Sequence, residues 1–272
     1  MLDLPINNIG TLPGLELQII QDKILLFLFC SIRISAFLIS SPIFGAGYVL
    51  LPVRILFAMV LTLSIFQDQS ALIDVEKITS SIGIILIAKE IAIGLSAGLV
   101  LTIWFSAASL AGEKIAASTG LSFAGLIDPE SGTQTPVISQ ILSLFMIVVF
   151  LSLDGHLLAL SVILESYKVL PIGATNINMS MIQLGIDAGG LMFKFGALIM
   201  LPIIVGITLL NVVIGIVTRS APTLNLFSFG FPITMLFAFF LLYVCTITIG
   251  SNFSNISNVS VDFIHRLIEG LM

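Results

Sequence analysis

Apolar residues in this 272-residue chain come in runs about as long as a bilayer is thick, and this restricts the fold more than any other feature. A helix crosses a hydrocarbon core of about 30 Å with about 20 residues. Runs of that order occupy Ile24–Phe44, Val49–Phe66, Ile82–Leu110, Val137–Leu153, Leu191–Val217 and Gly230–Gly250. A weaker stretch, Leu157–Leu170, is broken by Glu165 and reads as a short helix. Lipid offers the backbone no hydrogen-bond partner, so each segment must satisfy its own N–H and C=O groups, which a helix does. The expected class is all-α, an integral membrane-type protein of helical hairpins, with residues 1–272 forming one unit. No Pro-, Ser- or charge-rich linker divides the chain. Composition agrees: 58% of residues are hydrophobic and 9% charged, against an apolar share of about 45–50% in soluble domains. The mean hydropathy is +1.19.

Charge excludes some functions and leaves orientation open. A net charge of −5 argues against nucleic acid as a partner, since polyanion binding needs a basic surface. If all six stretches cross, Lys23, Lys77, Lys168 and Arg266 fall on one side, and Arg54, Lys114 and Arg219 on the other. Positive residues so evenly divided give no orientation. Asp22 and Lys23 flank the first apolar run in place of a basic n-region, so a cleaved signal peptide is not expected. Cys30 and Cys245 lie in apolar stretches and read as small buried hydrophobes. No metal-ligand cluster is present, and no cofactor is expected.

Charges within apolar segments are the default functional candidates of a membrane protein. Here they are Arg33, Lys89, Glu90, Asp154, Glu165, Asp187 and Lys194. Lys89 and Glu90 are adjacent and point apart on a helix, so each needs a partner elsewhere, or water. Asp187 and Lys194 lie two helical turns apart, too far to pair along a straight helix. Such groups serve as relays in an ion-coupled carrier, or pair with neighbouring helices in a larger assembly; the second reading is preferred. His156, in Leu153-Asp-Gly-His, reads as a buried histidine or a helix-start contact rather than a catalytic base, because no matched nucleophile stands out. No GxSxG, HExxH, P-loop or GxGxxG occurs, so an enzyme has no support.

Other features mark local structure. Gly94 and Gly98 form a GxxxG spacing that lets helices approach closely, and Gly185 and Gly189 repeat it. In a chain with 22 glycines such spacings also arise by chance. Pro202 interrupts a helical hydrogen bond within Leu191–Val217. Asn-x-Ser triplets begin at Asn252, Asn255 and Asn258. In a Ser/Asn-rich stretch they read as chance glycosylation matches. Val261, Ile264, Ile268 and Leu271 recur at helical spacing, which predicts an amphipathic C-terminal helix over about residues 259–271 lying on a partner or on the membrane surface.

One segment breaks the apolar pattern in mid-chain. Ala111–Pro136 reads AGEKIAASTGLSFAGLIDPESGTQTP and carries Glu113, Lys114, Asp128 and Glu130. It cannot face lipid, so it is either a solvent loop or irregular backbone in a protein-lined passage. Gly120 and Gly125 free the backbone, Asp128-Pro129 signals a turn, and Phe123 and Leu126 supply apolar bulk. A hydrophobic constriction of this kind shuts a pore by dewetting.

The blocks AGEKIAASTGLSFAGLIDP (Ala111–Pro129), LDGH (Leu153–His156), VLPIG (Val169–Gly173) and RSAPTLNLFSFGFP (Arg219–Pro232), in this order and spacing, resemble the FliR family. These are flagellar biosynthesis proteins of the type III export gate, with relatives in virulence injectisomes. The N-terminal part, through about the second hairpin, matches in hydropathy alone. The resemblance implies a multi-pass subunit in the bacterial cytoplasmic membrane, at the flagellar basal body. It would join FliP- and FliQ-type partners in a helical hetero-oligomer, next to FlhB and FlhA, around a passage for unfolded substrates. It also implies that Gly120–Pro136 is a plug loop with Gly120, Leu121, Phe123, Leu126, Asp128 and Pro129 at the constriction; Leu126 stands where relatives often carry a second phenylalanine. Lys89, Glu90, Glu113, Asp187 and Lys194 would then be charge partners within the assembly. The rival readings are a virulence-injectisome subunit and a stand-alone proton-coupled carrier working through Glu90, Asp187 and Lys194.

Overall fold

The fold is described from a computed structural model, which defines residues 17–70, 78, 81–120, 136–172, 180–220 and 230–269. These residues form helices joined by turns, without a strand: α1 (Leu17–Ser40), α2 (Leu51–Ser70), α3 (Ser81–Ser118), α4 (Val137–Ser152), α5 (Gly155–Val169), α6 (Ser180–Ser220), α7 (Phe231–Val244) and α8 (Thr246–Glu269). The protein is therefore an all-α, membrane-type protein. Ile20–Ser40, Ile82–Ser118 and Gly185–Ser220 are each long and apolar enough to cross a membrane. The bent pairs α4/α5 and α7/α8 raise the number of candidate spans to five if each is one span.

Several helices outrun the apolar runs that announce them. α3 continues from Leu110 to Ser118 because Ala111, Glu113, Lys114, Ala116 and Ala117 are strong helix formers. Hydropathy marks what lipid tolerates, whereas the backbone ladder stops only where a residue breaks it. The run Gly230–Gly250 is divided instead: α7 ends at Val244, and α8 leaves Cys245 at 62° and continues to Glu269. The C-terminal amphipathic helix is thus longer than its apolar spacing indicates. Its apolar face (Ile249, Phe253, Ile256, Phe263 and Ile264) is buried within the chain rather than left for a partner or a lipid surface.

Contacts divide the chain into two compact units. The first comprises residues 1–99, 160–181 and 266–272. In it α1 and α2 form a hairpin tied by edge-to-face Phe27 and Phe66, 5.5 Å between ring centres, and by Phe44 and Phe57 at 5.7 Å. α3 lies directly on α1. A Cβ at Gly94 would stand 2.2 Å from the Arg33 carbonyl oxygen, and one at Gly98 would stand 2.0 Å from Ser40 Oγ. This GxxxG spacing is therefore a true helix contact, whereas a Cβ at Gly185 or Gly189 would have nothing within 4 Å among the described residues.

Close packing of α1 on α3 brings Arg33 against Glu90, both buried. Arg33 Nε donates to Glu90 Oε2 at 2.7 Å and Nη2 to Oε1 at 3.1 Å, a bidentate pair. Nη1 donates to Ser166 Oγ at 2.9 Å, and Nη2 also to the Leu170 carbonyl at 2.9 Å, just past the end of α5. The guanidinium stacks 4.1 Å from the Tyr167 ring centre, and Tyr167 donates its hydroxyl to the Cys30 carbonyl at 2.7 Å. One cation thus joins α1, α3 and the last turn of α5.

The second unit comprises residues 100–159 and 182–265. Its core is aromatic. Trp104 on α3 is fully buried between Phe195 and Phe263, with centroids 5.4 and 6.0 Å away. Phe105 meets Phe150 edge-on at 5.2 Å, and Phe145 meets Phe253 at 5.4 Å. The LDGH block is the corner between α4 and α5, bent by 66°. Asp154 adopts a left-handed conformation (φ 55°), which Asp tolerates better than most residues. Its carbonyl accepts from the Leu157 and Leu158 amides at 3.0 Å. Gly155 leaves room for the Phe150 ring, which a Cβ there would approach to 2.7 Å.

Glu90→Ala leaves Arg33 buried without its counter-charge, which costs about 3–5 kcal/mol. Replacing both residues together, as Arg33→Met with Glu90→Leu, removes the charges and should be far milder. Thermal unfolding of the detergent-purified protein checks this ranking; a double variant as unstable as the single one contradicts it.

Candidate functional site

The site is where α3 stops and the 121–135 segment departs. The last turn of a helix exposes carbonyls with no partner in the helix, and in apolar surroundings each must be satisfied. Here each one is. The Ile115 carbonyl accepts from the Thr119 amide at 3.2 Å and Ser118 Oγ at 2.7 Å. The Ala116 carbonyl accepts from Thr119 Oγ1 at 2.8 Å, and that of Ala117 from the Gly120 amide at 3.2 Å. Neighbouring helices cover the last two. Asn211 Nδ2 on α6 reaches the Ser118 carbonyl at 3.4 Å. Thr234 Oγ1 on α7 lies 3.3 Å from the Thr119 carbonyl and 3.0 Å from that of Phe231, so a single proton is divided between them.

Gly120 then turns the chain out of the helix with φ +82°. This left-handed exit suits glycine at the residue after a helix. The Phe231 ring fills the space where a side chain would be: a Cβ would stand 2.5 Å from its Cε1. A pocket of about 310 Å³ opens beside this junction, lined by Thr119, Gly120, Asn211, Gly215, Phe231 and Thr234 among others.

The far end of the segment is held as firmly. Pro136 caps α4 in an extended conformation (φ −55°, ψ 142°). One turn later, Ser139 Oγ donates to the Ser109 carbonyl at 3.0 Å and lies 3.0 Å from Ser109 Oγ. Gly112 makes this approach possible, since a Cβ there would fall 2.3 Å from Ser139 Cα. α3 and α4 are therefore locked together one turn after the 121–135 segment returns, and two to three helical turns before it leaves. The arrangement offers anchorage. Among the described residues, no three His, Cys, Asp or Glu side chains converge as metal ligands.

Of the sequence-predicted constriction residues, Gly120 is the anchor just described. Leu121, Phe123, Leu126, Asp128 and Pro129 lie outside the described residues. The charged candidates separate. Glu90 is buried against Arg33 of the same chain, which removes it as a free relay. Lys89 is half-buried, and Glu113, Asp187 and Lys194 are exposed. Among the described residues, Glu113 has a single long contact, 3.5 Å, from Ser109 Oγ. His156 is half-buried, and its Nδ1 has no hydrogen-bond partner among the described residues. A search for charges passes over Asn211, Thr234, Phe231 and Ser139. Asn211 carries a signal nonetheless, as a lone amide in an otherwise apolar run, and Phe231 sits within the RSAPTLNLFSFGFP block.

The profile of a family described as Bacterial export proteins, family 1, matches residues 24–259. The Flagellar biosynthetic protein FliR of Escherichia coli is 32% identical over 204 residues, covering 75% of this chain and 77% of the relative. The chain belongs to the FliR family of bacterial export proteins. Its Bacillus subtilis member, also a Flagellar biosynthetic protein FliR, is 29% identical over 250 residues, covering 89% of this chain and 94% of its own length. The Surface presentation of antigens protein SpaR of Shigella flexneri is 29% identical over 165 residues, covering 60% of this chain and 63% of that protein. The four motif blocks fall inside the matched region. In this FliR-family chain two of them meet: Gly120 of the AGEK block lies against Phe231 of the RSAP block.

Gly120→Ala should destabilise the junction twice, through a left-handed alanine costing on the order of 1–2 kcal/mol and through overlap with Phe231. Adding Phe231→Ala should relieve only the overlap. A thermal-shift series on the two single variants and the double variant should show non-additivity; strict additivity would mean that the ring does not press on Gly120.

Proposed function

We propose that this FliR-family chain is a structural and gating subunit of the flagellar type III export apparatus. It forms, with FliP- and FliQ-type subunits and beside FlhB and FlhA, the passage for unfolded export substrates across the bacterial cytoplasmic membrane. It has no catalytic role and no cofactor. The 120–136 segment closes the passage at rest, with Phe123 and Leu126 as its apolar bulk and Gly120, Leu121, Asp128 and Pro129 shaping the turn. Lys89, Glu113, Asp187 and Lys194 pair with neighbouring subunits.

The observation that carries this reading is the match to the export family over residues 24–259, with relatives named for flagellar biosynthesis. The surface supports it. Glu113, Asp187 and Lys194 are exposed on long helices of apolar character, and bare charges facing lipid are unfavourable. Protein neighbours in an assembly resolve this. A fixed anchorage at both ends also suits a plug, because a segment that must reseat after each passage needs an immobile frame. The carrier alternative loses its central carboxylate, since Glu90 is engaged bidentately by Arg33.

Two measurements test the proposal. Cells lacking the chain should stop secreting flagellar subunits; normal secretion would refute the export role. In the assembled complex, deletion of 120–133 should raise ion leakage across the membrane. Unchanged leakage with assembly intact would mean that the segment is not the seal.

A further inference from the structure

The last turn of α3 is positioned by hydrogen bonds more than by packing. Earlier in the helix Ala111, Ile115 and Ala116 are wholly buried, and Gly112 lets α4 close onto it. Beside Ser118, Thr119 and Gly120, by contrast, lies the pocket of about 310 Å³. With open space along one side, close packing alone does not fix where this turn sits.

What fixes it comes from one hairpin. Asn211 on α6 donates to the Ser118 carbonyl, Thr234 on α7 to that of Thr119, and Phe231 on α7 sets its ring against Gly120. α6 and α7 are themselves packed so closely that a Cβ at Gly206 would stand 2.6 Å from Leu241 Cδ1. A hydroxyl within a helix can donate back to a carbonyl of its own helix. Ser106, Ser152 and Thr208 do so, each to the residue four positions earlier. Thr234 has the same option at the Phe231 carbonyl, yet its hydroxyl also reaches α3. Thr234 and Thr119 are both buried, so bulk water does not compete for that bond.

We propose that Asn211 and Thr234 are positioning residues of the gate. They set the direction in which the chain leaves α3 at Gly120, and with it the seat of the segment that follows. The inference rests on the gating reading above and adds a coupling to it. The α6–α7 hairpin cannot shift along α3 without pulling on the root of the gate, because all three contacts with that root come from this hairpin. The amide and the hydroxyl are directional donors without charge, so they orient the turn without placing an ion in apolar surroundings.

Resting ion leakage through the assembled complex tests the inference. Thr234→Val keeps the shape of threonine and removes its hydroxyl, and Asn211→Leu does the same for the amide. Each should raise leakage several-fold while the complex still assembles. Thr234→Ser, which keeps the donor, should leak no more than the unaltered chain. Thr208→Val, which removes a hydroxyl bonded within α6, should change nothing. Unchanged leakage in both Thr234→Val and Asn211→Leu would overturn the inference, as would equal leakage in Thr234→Val and Thr234→Ser. If Thr234→Val does not assemble, Asn211→Leu decides, since Asn211 is exposed and its replacement leaves the core intact. Deletion of 120–133 separates this inference from the reading beneath it. If the deletion leaks and the two substitutions do not, the gate stands and the roles of Asn211 and Thr234 fall. If none of the three leaks, both fall.

Discussion

Backbone hydrogen bonding without water is the constraint on which the rest of this structure depends. A chain so rich in apolar residues cannot leave carbonyls bare where helices end. At the end of α3 the Ser118 and Thr119 carbonyls are taken up by Asn211 and Thr234 from two other helices. At the end of α5 the Leu170 carbonyl is taken by Arg33. These two helix ends thus recruit side chains from elsewhere, and the recruited contacts help determine which helices meet there.

The same logic explains why a full charge is buried in the first unit. Arg33 has five N–H donors, and four are used, on Glu90, Ser166 and the Leu170 carbonyl. A buried ion pair adds little stability compared with apolar residues of like size, but it penalises every arrangement in which one partner is left alone. Its value here is in specifying one arrangement. α1, α3 and α5 cannot slide past one another without stranding a charge, and Gly94 lets α1 and α3 close to the distance the pair requires.

Much of the fold was legible in hydropathy, because lipid-compatible runs of about 20 residues permit little but helices. What hydropathy could not show was where helices end. Ala111–Ser118 continues α3 through strong helix formers, and α8 begins at Thr246 inside the apolar run Gly230–Gly250, where hydropathy shows no break. The two GxxxG spacings are equivalent on paper, yet one holds a helix contact and the other meets nothing among the described residues, because spacing says nothing about which face meets a neighbour. Gly120 was legible as a turn from its glycine-rich surroundings. Its counterpart Phe231 was not, since a contact across 111 positions leaves no local trace. The resemblance placed both residues in motif blocks without linking them.

The account holds that this chain works only as one part of a multi-subunit passage, with its exposed charges and apolar helix faces covered by other proteins. Native mass spectrometry of the chain, affinity-purified from its own membranes without overexpressed partners, tests this most directly. The predicted result is a hetero-oligomer containing one copy of this chain with several copies each of FliP- and FliQ-type subunits. A stable monomer or homo-oligomer that transports a solute by itself would contradict it.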